Sequence, residues 1–91
     1  IFSGSEIKQA ILKFSPKAAR WVSGEKWHSQ QQGKMEEDGS YILKIPYSAD
    51  TELVMDIIRY GKDVLVIEPK SLKEAVIEKL KDALTQYKEN G

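Results

Sequence analysis

Apolar and polar positions along this chain change period several times, and each change marks an element. From Glu6 to Phe14, Ala10, Leu12 and Phe14 alternate with Gln9, Ile11 and Lys13; period two predicts a strand. Ser15 followed by Pro16 predicts a helix start, because serine caps free N–H groups and proline at the first helical position gives up no needed donor. The short helix carries Ala18, Ala19 and Val22 on its apolar side and Trp21 as bulk, with Gly24 as its stop. Trp27 to Glu36 is polar and contains three consecutive glutamines, so as a strand it belongs at an edge. Glu37, Asp38, Gly39 and Ser40 form an Asp-Gly hairpin turn, and Tyr41, Leu43, Ile45 and Tyr47 follow at period two as the clearest strand.

The second half repeats that logic. Ser48 or Asp50 caps a helix with Leu53, Val54, Ile57 and Ile58 on one side, closed by Gly61 in the left-handed position. Val64 to Ile67 is a continuous apolar run, which predicts a strand covered on both faces, and Pro69 ends it. Ser71 and Glu74 have capping-box spacing, and Leu72, Val76, Leu80, Ala83, Leu84 and Tyr87 recur at helical intervals. Trp21 and Tyr87 are read as packing residues on their helices.

Strand, helix, strand, strand, helix, strand, helix is the α+β, ferredoxin-like split βαβ pattern (βαββαβ): an antiparallel four-stranded sheet with an added C-terminal helix. Its first and third strands are central. Two helices cover one sheet face. The other is expected to show Ile7, Ile11, Lys13, Ile42 and Lys44, covered either by the third helix or by a partner.

Composition narrows the function. Ninety-one residues, 41% apolar, make one core. Both ends read as cut from a longer protein, with residues 1–5 ending a linker, 6–88 forming the domain and 89–91 a tail. The chain lacks cysteine, which removes disulfides and thiolate chemistry and fits a reducing, cytoplasmic setting. No signal peptide or membrane span is legible. Charge sums to zero, but residues 1–35 hold six basic against two acidic side chains and residues 36–91 eight against twelve. The imbalance reads first as a solvated acidic helix, with a weakly basic patch near the first helix as the alternative, and it predicts no global attraction to nucleic acid.

Chemistry is scarce. His28, the single histidine, neighbours Trp27 and is read as a contact residue, since a hydrolytic triad needs a base beside a nucleophile. Neither metal-ligand spacing nor a glycine-rich phosphate loop occurs, so an enzyme, a metal and a cofactor are not expected. The third strand lacks the basic-Gly-aromatic signature of RNA-recognition motifs, and its tyrosines share a face with Leu43 and Ile45, which assigns them to the core.

Together these signatures resemble the WCX domain, the C-terminal extension of WYL-domain bacterial helix-turn-helix transcription regulators. The residues carrying the likeness are Leu12, Phe14 and Ser15; Ala18 to Val22; Trp27, His28 and Gln31; Asp38 and Gly39; and Tyr60, Gly61, Val64, Glu68, Pro69, Leu72 and Tyr87. The resemblance implies a C-terminal regulatory domain whose partners are the WYL and helix-turn-helix domains of its own chain. It implies a homodimer, and coupling of an effector, such as a short nucleic-acid fragment, to operator DNA bound only through the absent N-terminal domain. Arg20, Trp27, His28 and Gln31 are the matched positions packing explains least, and Arg59 is a further exposed cation. All five are candidates for effector or interdomain contact, because arginine forks onto phosphate and tryptophan stacks on bases. An ACT-like small-molecule sensor is the alternative, weakened by Ser15 and Pro16 where ACT sites favour glycine.

Overall fold

The computed structural model describes residues 7–48 and 50–90. Its elements are β1 (Lys8–Phe14), α1 (Pro16–Val22), β2 (Gln32–Met35), β3 (Tyr41–Tyr47), α2 (Asp50–Arg59), a 3-10 turn (Gly61–Asp63), β4 (Val64–Glu68) and α3 (Lys70–Asn90). The sheet order is β2-β3-β1-β4, antiparallel throughout. This is the ferredoxin-like arrangement expected, with β1 and β3 central. The proposed linker 1–5 lies outside the described residues, and α3 runs on through Asn90, into the stretch assigned to a tail.

Alternation sets the core. Ala10, Leu12 and Phe14 of β1 and Tyr41, Leu43, Ile45 and Tyr47 of β3 all point to one face and are buried there with Val66. Ala18, Ala19 and Val22 of α1, Leu53, Val54 and Ile57 of α2, and Leu72 and Val76 of α3 close over them. Each fully buried Leu or Phe contributes roughly 1.5–3 kcal/mol relative to exposure. The ladder from β3 to β2 stops at the Lys44 pair with Gln32, so Pro46 sits where β3 has a hydrogen-bonded neighbour only in β1, a place that tolerates a missing N–H. Gly33 makes room for a ring: a Cβ there would lie 1.7 Å from the Tyr41 hydroxyl, which crosses over the edge strand, so any larger residue must displace it.

Two caps work as the sequence predicts. Ser15 Oγ accepts from the Ala18 N–H and donates to Asp63 Oδ1 at 3.0 Å, while its own N–H donates to the Asp63 carbonyl. Gly61 has φ +56° and Gly39 φ +93°, as a helix stop and a tight hairpin require. In that hairpin the Ser40 N–H and hydroxyl both donate to Asp38 Oδ1, which holds the Asp38 carboxyl below its ordinary value.

Gly24 stands just past the end of α1, as expected, and the helix closes on a right-handed Ser23 cap. Four local expectations need correction. Ser71 does not head α3, which begins at Lys70 with the Pro69 carbonyl accepting from the Lys73 N–H, because the chain is already turning as it leaves β4. Trp21 is not core, being 55% exposed, and Tyr87 is more exposed still. The apolar run of β4 is not covered twice: Val66 is buried, but Leu65 and Ile67 are 54% and 42% exposed. The reason is the course of α3, which packs beside α2 over β4 on the helical side, so that among the described residues no element covers the opposite sheet face. Ala49 is outside the described residues, as is the Asp50 side chain, and with them that part of the cap assigned to α2.

The uncovered face follows from the register. Lys34, Ile42, Lys13 and Leu65 are neighbours across the four strands, and Gln32, Lys44, Ile11 and Glu68 form the next row. Ile67 is the extra residue of a β-bulge where the β1–β4 register shifts, a device that twists an edge strand.

Candidate functional site

A polar aromatic corner forms where the loop after α1, the end of β1 and the end of α2 meet. Phe14 supplies its floor. The Trp27 and Tyr60 rings both meet Phe14 edge-on, at centroid distances of 5.8 and 5.3 Å, and lie against each other at 6.1 Å with an interplanar angle of 25°. Such pairs stabilise beyond their buried area because ring edges are positive and ring faces negative. One stacking side of the indole is therefore taken by Tyr60.

Glu25 ties the corner together. Trp27 Nε1 donates to Glu25 Oε1 at 2.9 Å and the Tyr60 hydroxyl donates to the same oxygen at 2.8 Å. Arg59 Nη2 approaches that oxygen at 4.0 Å, and the guanidinium lies over the Tyr60 ring at 5.6 Å. The Tyr60 hydrogen bond, then that from Trp27, hold the Glu25 carboxyl below its usual range, against a smaller opposing effect of burial. Tyr60 shifts the other way: burial first, then its bond to Glu25, push its phenol up.

Gln31 shapes the loop. Its Oε1 accepts from the Trp27 and His28 backbone N–H groups, and its Nε2 donates to the Glu25 carbonyl at 3.0 Å. One amide side chain thus satisfies three backbone groups that no strand or helix could. His28 Nδ1 accepts from the Gln30 N–H at 2.9 Å, which leaves Nε2 as the nitrogen able to carry the proton of a neutral ring. The imidazole lines a shallow cleft of about 200 Å³ with Trp27, Tyr47, Glu52 and Asp56.

Of the five sequence candidates, Trp27, Gln31 and Arg59 converge on Glu25 and His28 stands beside them. Arg20 is elsewhere, exposed on α1 with its guanidinium 5.9 Å from the Trp21 ring centre. Sequence reasoning missed Glu25, and it saw Tyr60 only as a matched position. Thirty-five residues separate the two, and no periodicity reaches that far. The one available signal was the indole N–H, which needs an acceptor when half-buried.

Chemically, the corner is a braced carboxylate beside an arginine whose side chain is 62% exposed, suited to meeting an anionic or hydrogen-bonding neighbour. Among the described residues no group of three His, Asp or Glu converges as a metal ion requires, and no helix is long and apolar enough to cross a membrane.

A split βαβ layer with helices on one face, a third helix set beside them and a braced polar corner at its end defines a small α+β domain of ferredoxin-like build. The chain belongs to the WCX domain family, whose model matches residues 6–84. No curated protein matches it. Family membership supports a regulatory domain of WYL-type regulators, with transcription regulation as its setting.

Proposed function

We propose that this domain is the C-terminal contact module of a WYL-type transcription regulator: it engages the WYL domain, helps hold the regulator as a homodimer, and couples effector sensing to operator binding through the helix-turn-helix domain. It does so without catalysis. The observation that carries this reading is the uncovered sheet face, where Ile11, Ile42 and Leu65 lie among Lys13, Lys34 and Lys44. Apolar side chains ranked across a sheet face, interleaved with cations, suit a protein neighbour that is apolar at its centre and acidic at its rim. The corner of Trp27, Gln31 and Arg59 then sits at one end of the layer, where Arg59 and His28 offer hydrogen bonds to the effector or to the adjoining domain.

Such a module acts by differential contact. An effector shifts the arrangement of domains only as far as it binds one arrangement better than the other. The test is an Ile11→Glu, Ile42→Glu variant in the intact regulator. Expected are loss of the effector's influence on operator affinity and a weakened dimer, while the isolated domain keeps its fold because neither side chain belongs to the core. Unchanged effector response and unchanged dimerisation would sink the proposal.

A further inference from the structure

Helix α3 is longer than the layer it completes. Leu72 and Val76 are buried, yet beyond them Ile77, Leu80, Leu84 and Tyr87 are 42%, 43%, 53% and 79% exposed. Their spacing is three, four, three, the interval of a narrow helix-to-helix seam rather than of the wider stripe that packs on a globular core. Over these turns α3 is only partly covered: Ile77 and Leu80 line a groove with α2 and β4, and the exposed stretch beyond them is too short to be more than marginally stable in water on its own.

We propose that a second copy of this chain covers the seam, the two α3 helices pairing antiparallel about a two-fold axis at Asp82. This rests on the homodimer reading above and adds a second surface to it, apart from the sheet face. Three, four, three reads the same in either direction. An antiparallel copy therefore sets Leu80 against Leu84 and Ile77 against Tyr87, so every seam residue meets an apolar partner. An antiparallel mate also turns each flank of the seam toward the same flank of its partner. One flank carries Glu74, Lys81 and Lys88 at seven-residue intervals, which brings Glu74 toward Lys88 at both ends and leaves one repulsive Lys81 pair near the axis. The other flank carries Ala83, small enough for the backbones to approach.

The area is adequate for a weak, specific contact. The four side chains expose on the order of 500 Å² per copy, in the range of the largest patch on a monomer, and two copies together reach at most about the 1,000 Å² that a specific interface needs. An apolar groove of about 140 Å³ between α2, β4 and α3, which Ile77 and Leu80 also line, continues the seam inward.

Sedimentation equilibrium of the 91-residue chain, from micromolar to millimolar concentration, tests the seam. The weight-average mass should climb from 10.3 kDa toward twice that value. Leu84→Glu should raise the dissociation constant about tenfold or more, because it places a carboxylate in the seam, while at micromolar concentration, where both chains are monomeric, circular dichroism and melting temperature stay unchanged. Under oxidising conditions the Lys81→Cys variant should form a disulfide-linked dimer and Lys88→Cys should not; the reverse result overturns the antiparallel arrangement. Association undiminished by Leu84→Glu overturns the seam but leaves the homodimer reading standing on another surface. A chain monomeric throughout also overturns the seam. The mass of the intact regulator then decides the homodimer reading by itself.

Discussion

At Gly33 a single hydrogen atom permits the path of the edge strand, because the Tyr41 hydroxyl occupies the space a methyl group would take. Gly33→Ala should destabilise the domain by about 1–3 kcal/mol through displacement of that ring, read as a lower urea midpoint with an unchanged slope. Glu25 is the second decisive residue. Its carboxyl titrates below its ordinary value in the folded chain, so its contribution is present above the unfolded value and is lost as pH falls through the folded one. Asp38 titrates in the same sense. The wild type should therefore lose stability below about pH 4, and Glu25→Gln should show a shallower acid limb with part remaining from Asp38. Urea melts at stepped pH measure this; identical acid limbs would remove Glu25 from the account. The phenol of Tyr60 works oppositely, since a raised value means stability is lost as pH climbs past the ordinary tyrosine value. None of this was legible beforehand: Glu25 lies outside any periodic pattern, and its partners come from a loop and from the far end of α2.

At the scale of elements, the sequence spoke most clearly where one physical rule acted alone. Tyr41 to Tyr47 alternates because one sheet face is buried, and Ser15 with Pro16 starts α1 because the serine oxygen accepts from the Ala18 N–H and the proline gives up no needed donor. Ser15→Ala should cost about 1–2 kcal/mol from the lost cap, with Ser15→Asp restoring less than Ser15→Thr because Asp63 already faces the site. Thermal melts of the three variants check the order. Signals failed where tertiary context intervened. The apolar run of β4 implied two covers, but length and composition could not show on which side α3 would lie. Periodicity in α3 was read as one continuous face, whereas only its first turns pack on the domain. Leu72→Ala should accordingly cost about 2–5 kcal/mol, and Thr85→Ala, far along the same helix, almost nothing; chemical denaturation separates them.

Over the whole molecule, the two halves of the split βαβ unit are joined by the sheet, by the corner around Glu25 and by a latch at Ser15 and Asp63. The Ser15 amide donates to the Asp63 carbonyl and its hydroxyl to the Asp63 carboxylate, across forty-eight positions of sequence. Local fraying at either end of the chain leaves that amide paired, so its proton reaches solvent only when the halves come apart. Deuterium uptake at this one position thus serves as a clock for the integrity of the entire domain: it should track the global unfolding free energy, while amides of the outer α3 turns exchange orders of magnitude sooner and slow down only when something grips that helix.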